Sequence, residues 1–346
     1  MSQRWKTLKE NARLRENLVK RSEILAAIRA FFDGSGYLEV ETPLVVAKPG
    51  MEPYLDPFET TVKDPFGHAY RAFLITSPEY ALKKLLAAGF PKIYQLGKCF
   101  RNGEAFQGRH NPEFTMLEWY QAGTDYVGIM EETEALVKSV ALKVLGGTAI
   151  TWRGATIDLG LPWECLTVKE AMRKYAGVDL DAALEEKSIL IEAAARLGHV
   201  LPGDTAWDDA FFSVFLNAVE PRLGTERPTF LREYPISMAA LSKASARDPQ
   251  YAERFELYVG GLELANAYTE LTDAGEQRKR LEEERVLRQK FGRTGYGVDE
   301  DFLAAVEAMP EAGGISIGID RLVMLLLGEE DIRDVLAFPA EGLFLP

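Results

Sequence analysis

The chain has 346 residues, 47% hydrophobic and 27% charged, which suits a globular protein of one large domain or two small ones. Its net charge of −13 argues against a broad basic surface for nucleic acid, and without an apolar run of about 18 residues or a signal core the sequence predicts no membrane segment. Two cysteines give no disulfide framework, which predicts a cytoplasmic location, and the absence of GxxxxGK[ST] and HExxH excludes the P-loop and a common zinc site.

The first predicted element is an amphipathic helix over residues 17–32, where apolar side chains recur at helical spacing. Gly34 ends this helix, and residues 37–41 predict a strand that Pro43 ends. The pattern indicates a helix that leads into a sheet.

A strand followed by a second helix is predicted over residues 70–90. Thr76 or Ser77 can cap this helix, Pro78 suits its first turn, and Glu79 stands where a capping carboxylate would stand. A well-capped helix explains all of these residues, and a ligand pocket is the alternative.

Residues 92–121 predict a strand, a polar loop and a second strand. Because strand side chains alternate between the faces of a sheet, Phe114, Glu118 and Tyr120 are expected on one face. An aromatic ring, a carboxylate and a phenol on one face suit the floor of a binding site, with Arg101 at its edge. The alternative is an ordinary hairpin in which Arg101 and Glu118 pair across the strands.

Residues 125–220 predict a helical subregion that packs against the sheet and could be an inserted subdomain. Its helical patterns lie at 128–145 and 182–197, with a further apolar helix at 210–220. No chemistry is assigned to this subregion. A strand at 227–237 is expected to return to the sheet.

A hairpin is predicted over residues 253–272, because Gly260 and Gly261 stand between two β-rich runs. Pairing across this turn places Glu256 diagonally from Glu263 on one face. Two carboxylates at one spot repel each other unless a cation lies between them, and Mg²⁺ binds one or two carboxylates together with phosphates. The alternative is a hairpin whose glutamates are solvated.

The second strand of this hairpin carries three further polar side chains, those of Asn266, Tyr268 and Glu270. Strict alternation would place them on the face opposite Glu263. A β-bulge near 264–265 is therefore required if all four side chains are to share one pocket.

Two more elements follow. Residues 274–290 predict a charged helix that presents a solvated face and has no further role. Residues 313–328 predict a glycine-rich strand that leads into an apolar helix near Asp320. The glycines of this strand would let a nucleotide lie close to the backbone, and Arg321 could reach one of its phosphates. The alternative interpretation is a buried structural pair of arginine and aspartate.

Three of these segments resemble motifs 1, 2 and 3 of the class II aminoacyl-tRNA synthetases, and specifically their lysyl branch. Motif 1 corresponds to the helix, strand and proline of 17–43, motif 2 to FRN…RHNPEFTMLEWY at 100–120, and motif 3 to Gly-Ile-Asp-Arg at 318–321. The resemblance covers most of the chain and implies one α+β catalytic domain over 1–346, an antiparallel sheet flanked by helices. Motif 1 builds a dimer interface in this family, which implies a homodimer.

The resemblance implies amino-acid activation, in which a carboxylate attacks the α-phosphorus of ATP to give an aminoacyl-adenylate and pyrophosphate. Arg101 would hold the α-phosphate and the carboxylate, Phe114 and Arg321 would enclose the adenine, and His110 would lie near the outer phosphates. The implied ATP-binding residues are Arg101, Asn102, Gly103, His110, Asn111, Phe114, Glu256, Leu257, Gly318 and Arg321, of which Arg101 and Arg321 form the catalytic pair.

Two further details of the implied site are the metal and the length of the motif 2 loop. Mg²⁺ is expected on Glu256 and Glu263, where it would neutralise the polyphosphate. The family usually shows Arg-x-Glu in motif 2, whereas this chain has one more residue between Arg101 and Glu104, which leaves the contact of Glu104 open.

The implied amino-acid pocket contains three carboxylates and a phenol, which favour a substrate with two ammonium groups, such as lysine or a lysine isomer. Glu79 is expected to meet one of these ammonium groups. The implied pocket residues are Ser77, Pro78, Glu79, Glu118, Tyr120, Glu263, Asn266, Tyr268 and Glu270.

Within the lysyl branch, the chain resembles the elongation factor P–lysine ligases, which transfer (R)-β-lysine to a lysine of elongation factor P. The matching segments are Thr-Ser-Pro-Glu-Tyr at 76–80 and YTELTDAGEQ at 268–277. About sixteen residues precede the first helix, too few for an N-terminal OB-fold that reads the anticodon, so tRNA is not expected as a partner. Ser316 stands where ordinary lysyl enzymes have glycine, a change that would reshape the pocket for the β-isomer.

Two alternatives stay open. A truncated synthetase paralogue could charge tRNA or a free small molecule, and a regulatory paralogue could keep the fold without catalysis. The set of Arg101, Glu256, Glu263 and Arg321 disfavours the regulatory paralogue, since such a protein need not keep phosphate and metal groups.

Overall fold

A computed structural model describes residues 4–345, whose strands form one large and two small sheets. None of the helices in this range combines the length and the apolar character needed to cross a bilayer. The strands are β1 (Leu38–Glu39), β2 (Val45–Val46), β3 (Glu59–Lys63), β4 (Ala69–Leu74), β5 (Lys92–Phe100), β6 (Glu113–Ala122), β7 (Ala149–Trp152), β8 (Ala155–Asp158), β9 (Glu164–Thr167), β10 (Thr229–Pro235), β11 (Tyr251–Val259), β12 (Leu262–Thr269) and β13 (Ala312–Gly318). The α-helices are α1 (Arg4–Glu10), α2 (Ala12–Gly34), α3 (Glu79–Ala87), α4 (Tyr126–Leu145), α5 (Val168–Ala171), α6 (Leu180–Glu185), α7 (Ser188–Arg196), α8 (Trp207–Val214), α9 (Ala274–Lys290), α10 (Glu300–Ala308), α11 (Ile319–Leu327) and α12 (Ala340–Phe344).

The large sheet has the strand order β1-β5-β6-β13-β12-β11-β10-β9. Its six inner strands pair antiparallel, and the edge strands β1 and β9 pair parallel with their neighbours. The predicted antiparallel sheet flanked by helices is therefore confirmed. The strands that carry the predicted site, β6, β13 and β12, lie side by side at its centre.

The β11–β12 hairpin contains both the predicted turn at 260–261 and the predicted bulge. Tyr258 pairs with Glu263, but Leu257 pairs with Ala265, so β12 has one extra residue between these pairs. This extra residue reverses the alternation of side chains along the rest of β12. Side chains on both sides of the bulge can thus reach the same face.

The two largest hydrophobic clusters among the described residues both involve the large sheet. The larger one packs α2, α4 and α11 against the large sheet, and the second groups α5–α8 with side chains of β10 and β11. The first helix of the predicted 125–220 subregion therefore belongs to the larger cluster, and the assignment of an inserted subdomain stays a prediction. The continuous helix predicted at 182–197 is wrong, because Glu186 has an extended backbone (φ −128°, ψ 96°) that separates α6 from α7.

Candidate active site

A cavity of about 450 Å³ is lined by the central strands β6, β12 and β13 and by the loop before β6. The structure brings about half of the predicted site residues together here. Those that line the cavity are Arg101, His110, Asn111, Phe114, Glu263, Asn266, Tyr268, Gly318 and Arg321.

Four guanidinium groups belong to this lining, those of Arg101, Arg109, Arg254 and Arg321. The guanidinium of Arg101 lies 4.9 Å from the centre of the Phe114 ring, and its Nε is buried without a hydrogen-bond partner among residues 4–345. Arg321 donates from Nη1 to the backbone oxygen of Glu263 over 2.9 Å. Burial lowers the pKa of Arg321, and the charges of Arg101 and Arg109 act in the same direction. Neighbouring cations with unused donors suit a polyphosphate.

The loop between β5 and β6 holds two of the predicted side chains. The Arg101 N–H donates to the carbonyl oxygen of Pro112 over 2.8 Å, which closes the loop at its base. His110 Nδ1 lies 2.7 Å from a carboxylate oxygen of Glu104, and this hydrogen bond lowers the pKa of Glu104. Glu104 therefore orients His110, which defines the contact that the longer motif 2 loop left open.

The remaining residues of this loop have different surroundings. Asn111 is buried, with its amide nitrogen donating to the Glu113 carbonyl oxygen (2.6 Å) and its amide oxygen accepting from the Ala340 N–H (2.9 Å). These contacts attach the loop to the start of α12. Asn102 and Gly103 are exposed outside the cavity lining, and their role in ATP binding stays a prediction.

Asp320 fixes the start of α11 and thereby positions Arg321. It is 2% exposed, and its Oδ2 accepts a hydrogen bond from the Thr115 N–H of β6 over 2.8 Å. Its Oδ1 lies 2.6 Å from Arg21 Nη2, an ion pair whose angle is not that of a hydrogen bond. The buried arginine–aspartate pair is therefore Arg21 with Asp320, and Arg321 faces the cavity.

The two carboxylates predicted to bind a metal differ in their surroundings. Glu256 is 8% exposed and accepts hydrogen bonds from the Tyr234 hydroxyl, the Tyr258 hydroxyl (2.6 Å) and Arg254 Nη2 (2.6 Å). The Glu263 carboxylate makes no hydrogen bond to any residue that the structure describes, and it lines the cavity. Burial, followed by the charge of Glu256, raises the pKa of Glu263 to about 7. Next to Glu256 along β11, Leu257 has its side chain in the larger hydrophobic cluster.

These carboxylates fit a magnesium ion that also binds phosphate. Glu263 has both oxygens available, and Glu256 uses three of the roughly four acceptor positions of a carboxylate. A cation beside Glu263 would offset the repulsion that contributes to its raised pKa. Residues 4–345 contain no cluster of three or more histidine, cysteine or acidic side chains arranged for a metal, so Mg²⁺ here would need phosphate oxygens from ATP.

The predicted amino-acid residues on β6 form a buried hydrogen-bond network. Glu118 is 2% exposed and accepts hydrogen bonds from the hydroxyls of Ser77 (2.8 Å) and Tyr120 (2.7 Å). Burial, followed by the charge of Glu79, raises the pKa of Glu118 to about 8. Ser77, Pro78 and Glu79 line a smaller cavity of about 30 Å³.

Glu79 and Glu270 are joined by a residue that the sequence analysis missed. Lys83 lies one turn after Glu79 on α3, and its Nζ is 2.6 Å from one oxygen of each carboxylate. The second oxygen of Glu270 rests against β13, where a Cβ at Gly314 would come within 2.3 Å of it. The i,i+4 spacing of Glu79 and Lys83 was the available signal.

Asn266 and Tyr268 line the cavity on the far side of the bulge from Glu263, as the predicted bulge required. Asn266 Nδ2 donates to the Tyr268 hydroxyl oxygen over 2.7 Å, and Arg254 Nε donates to Asn266 Oδ1 over 3.2 Å. One strand thus presents both a carboxylate and an amide–phenol pair to the cavity.

Comparison with known proteins assigns this arrangement to a family. The family model of the class II tRNA synthetases (D, K and N) matches residues 1–342. The chain belongs to the class II tRNA synthetases. By family it is an ATP-dependent amino-acid ligase of the class II synthetase type.

Curated relatives of this class II synthetase are similar over nearly the whole chain. An elongation factor P–(R)-beta-lysine ligase of Proteus mirabilis is 42% identical over 326 residues, which are 93% of this chain and 94% of that protein. Lysine–tRNA ligases of Pelotomaculum thermopropionicum and Enterococcus faecalis are 40% and 39% identical over 343 and 350 residues, or 97% of this chain. The chain spans 66% of the length of each of these two ligases.

The synthetase site also contains acidic residues that the sequence analysis missed. Glu52 and Glu284 line the main cavity, and Glu52 also borders the smaller cavity beside Glu79. Burial, followed by the charges of Glu52 and Glu79, raises the pKa of Glu284 to about 8. The lining of the cavity is therefore more acidic than the motifs indicate.

The prediction that residues 274–290 form only a solvated face is wrong. In this helix, α9, Arg288 has no exposed surface, and its Nη1 donates to the backbone oxygens of Glu52 (2.8 Å) and Leu55 (2.6 Å). Glu284 lies one turn earlier and lines the cavity. A guanidinium group can be buried when backbone oxygens accept its hydrogen bonds. The two accepting oxygens are 236 and 233 residues away in the sequence, so the local pattern of the helix did not indicate them.

The second hydrophobic cluster of the synthetase also reaches the site. Asp208 and Phe212 of α8 line the main cavity together with Tyr54. Burial, followed by the charge of Asp208, raises the pKa of Tyr54. The 125–220 subregion, to which the sequence assigned no chemistry, thus contributes one wall of the cavity.

Proposed function

We propose that this chain activates (R)-β-lysine, or a closely similar lysine-like amino acid, with ATP and transfers it to a lysine side chain of elongation factor P. The observation that carries the proposal is a cavity lined by four arginines and by the carboxylates of Glu52, Glu263 and Glu284, next to a smaller cavity lined by Glu79, which suits ATP and a diamino acid side by side. The similarity to an elongation factor P–(R)-beta-lysine ligase over 93% of the chain supports the choice of acceptor.

In the first step, an oxygen of the amino-acid carboxylate attacks the α-phosphorus of ATP. The bond between that phosphorus and the bridging oxygen of pyrophosphate breaks, which gives an aminoacyl-adenylate and pyrophosphate. Arg101 binds the α-phosphate and the carboxylate and stabilises the negative charge that develops on the phosphate oxygens. Phe114 and Arg321 enclose the adenine, and His110, oriented by Glu104, lies near the outer phosphates.

Positioning and charge neutralisation are the main tasks of such a site, because the attacking carboxylate is already a nucleophile. Glu263, with Glu256 beside it, is proposed to hold Mg²⁺, which when bound neutralises part of the polyphosphate charge. The free oxygens and the raised pKa of Glu263 support this assignment.

The amino acid is proposed to lie with one ammonium group at the Glu79 carboxylate, where the buried carboxylates of Glu118 and Glu270 add negative charge. Asn266 and Tyr268 lie between these carboxylates and the nucleotide end, beside Glu263 on β12. A substrate with two ammonium groups compensates more of this buried negative charge than an amino acid with a neutral side chain would.

In the second step, the amine nitrogen of the acceptor lysine attacks the carbonyl carbon of the adenylate. AMP leaves, the attacking nitrogen loses a proton, and an amide bond joins the amino acid to elongation factor P. This step uses the energy of the mixed anhydride formed in the first step.

The test combines ATP–pyrophosphate exchange with mass spectrometry of the acceptor. We expect exchange to be faster with (R)-β-lysine than with L-lysine, and the mass of elongation factor P to increase by one lysine residue. A clear preference for L-lysine, or an amino acid attached to tRNA instead, contradicts the proposal. That second result would support lysine–tRNA ligation, the activity named for the two lysine–tRNA ligases, and no exchange at all would support a regulatory paralogue.

We further propose that the protein is a cytoplasmic homodimer built through the region of α2 and β1, which corresponds to motif 1. Analytical ultracentrifugation of the active protein tests the oligomeric state. A catalytically active monomer at assay concentrations would contradict it.

A further inference from the structure

A buried lysine holds together two carboxylates of the proposed amino-acid pocket. The Lys83 side chain has no exposed surface, and its Nζ lies 2.6 Å from Glu79 Oε1 and 2.6 Å from Glu270 Oε2. The contact with Glu79 is a hydrogen bond, whereas the contact with Glu270 is an ion pair whose angle is not that of a hydrogen bond. An ammonium group without a partner is costly to bury, so these two carboxylates explain why Lys83 lies inside.

With both carboxylates ionised, the three side chains together carry one net negative charge, and burial, opposed by the charge of Lys83, raises the pKa of Glu270 to about 7. Burial alone would lower the pKa of Lys83, but the charges of Glu270 and Glu79 outweigh burial and raise it, so Lys83 stays protonated. The negative charge that Lys83 does not neutralise is available to a ligand.

Only one of the two carboxylates has exposed surface. The Glu79 side chain is 13% exposed and lines the smaller cavity, and its Oε2 accepts no hydrogen bond from the residues that the structure describes. The Glu270 side chain is completely buried. Glu79 is therefore the carboxylate that a ligand can reach, and Glu270 holds Lys83 from the other side.

We propose that Lys83 is a positioning residue of the amino-acid pocket, which fixes the Glu79 carboxylate and leaves one net negative charge for one ammonium group of the substrate. This inference rests on the proposed function, because it requires a substrate with such a group. Without Lys83 the two carboxylates would repel each other, one of them would take up a proton, and Glu79 would lose its fixed orientation.

The test measures the KM for the amino acid and the KM for ATP separately, in pyrophosphate exchange with (R)-β-lysine and with L-lysine. Lys83→Met removes the charge and keeps a long apolar side chain. We expect the KM for the amino acid to rise about 10- to 100-fold, as for a lost hydrogen bond to a charged group, while the KM for ATP stays at the wild-type value. Lys83→Arg, which keeps the charge, should give an intermediate KM for the amino acid.

Lys84→Met is the matched control, since Lys84 is the next residue of α3, is 32% exposed and pairs with Asp299 and Asp301. It should leave both KM values unchanged. If Lys83→Met does not fold, the double variant Lys83→Met/Glu270→Gln replaces it with the same expectation, because it removes the completely buried Glu270 charge and leaves only the partly exposed Glu79 carboxylate without a counter-charge.

A folded Lys83→Met variant with the wild-type KM for the amino acid overturns the proposal, and so does an equal rise of both KM values. Failure of the proposed function gives a different result. In that case the wild-type protein itself prefers L-lysine, attaches the amino acid to tRNA, or shows no exchange with either amino acid.

Discussion

At the scale of single residues, Arg101 is the side chain on which the proposed adenylate formation should depend most. Its Nε is buried without a partner and its guanidinium lies on the Phe114 ring, so a phosphate would meet an oriented cation. Arg101→Ala should lower the rate of ATP–pyrophosphate exchange about 10²- to 10³-fold, the usual effect of removing an oriented donor from a developing anion. The exposed Arg247, changed to alanine, is the control, and near-normal exchange in Arg101→Ala would exclude Arg101 from this role.

Glu284 should make the protein less stable as the pH rises. Burial and the charges of Glu52 and Glu79 raise its pKa in the folded state to about 8, above its ordinary value of 4.5. The folded state therefore holds this proton more tightly than the unfolded state does. The resulting stabilisation is fully present below about pH 4.5 and is lost as the pH rises through about 8.

Glu284→Gln removes this titration and should flatten the pH dependence of the free energy of unfolding. At about pH 9 the variant should be more stable than the wild type by about 1 kcal/mol or more, since one unit of pKa corresponds to about 1.4 kcal/mol. Urea unfolding at about pH 5 and about pH 9 measures the difference. Glu283→Gln, an exposed neighbour on the same helix, is the control, and equal pH dependence in all three proteins contradicts the assignment.

The sequence predicted most site residues in the segments that resemble the family and missed isolated charged residues such as Lys83 and Glu52. Arg101, Phe114 and Arg321 follow from the motif pattern, and the structure brings all three to one cavity. Lys83 and Glu52 could not be found in this way, because a single charged residue in a helix or loop has no periodicity. Their positions depend on contacts with segments that are distant in the sequence.

At the scale of elements, the turn of the β11–β12 hairpin depends on two glycines. Gly260 and Gly261 both have positive φ, 61° and 70°. A Cβ at Gly260 would lie 2.3 Å from the Trp152 ring, whereas a Cβ at Gly261 would come no closer than 3.5 Å to the backbone oxygen of Pro221. The two glycines therefore share the same backbone strain but differ in the space around them.

Gly261→Ala should lower the free energy of unfolding by about 1–2 kcal/mol, the cost of a side chain in the left-handed region. Gly260→Ala should cost about 1–3 kcal/mol more, because the new methyl group overpacks against Trp152. Urea unfolding of both variants gives the comparison. Equal losses would mean that Trp152 moves aside without cost.

The elements themselves were largely predictable from local pattern. The turn at 260–261 and the bulge followed from glycine placement and from the need to bring Glu263 and Asn266 to one face. The buried side of α9 was not predictable, since Arg288 has a charged side chain and its backbone partners come from the loop before β3. The charged composition of this helix correctly predicts a solvent-exposed face. It does not reveal the buried face, where backbone oxygens accept the hydrogen bonds of a charged side chain.

At the scale of the whole molecule, the Arg21–Asp320 pair joins the two ends of the chain to the central sheet. Arg21 of α2 pairs with Asp320 of α11 over 2.6 Å and donates to the Thr115 hydroxyl of β6 over 2.9 Å. Arg21→Met should lower the free energy of unfolding by about 3–5 kcal/mol, because it leaves the buried Asp320 carboxylate without a counter-charge.

Another ion pair of the same helix provides the matched control. Arg13 of α2 pairs with Glu329 over 2.7 Å, but its side chain is 58% exposed. Arg13→Met should therefore cost about 0–1 kcal/mol, as solvent-exposed ion pairs usually do. Thermal or urea unfolding measures both variants, and a comparable loss in the two would show that burial does not decide the strength of this pair.

The arrangement of the whole molecule was predictable where motifs specified it. The antiparallel sheet with its flanking helices followed from the resemblance to the class II synthetases, and the family model covers residues 1–342. The contribution of α8 to the cavity was not predictable, because Asp208 and Phe212 occupy positions that any amphipathic helix could have. Only the packing of the second hydrophobic cluster on β10 and β11 brings them to the site.

Strand β13 has a practical consequence for anyone who redesigns this protein to accept another amino acid. Substitutions at Gly314 should not be tolerated, since a Cβ there would lie 2.3 Å from Glu270 and from the Tyr120 ring. Two residues further on, Ser316 faces the cavity between Glu118 and Asn266 of the adjoining strands. Engineered selectivity should therefore start at Ser316, where side-chain volume can change without displacing the charges that recognise the substrate.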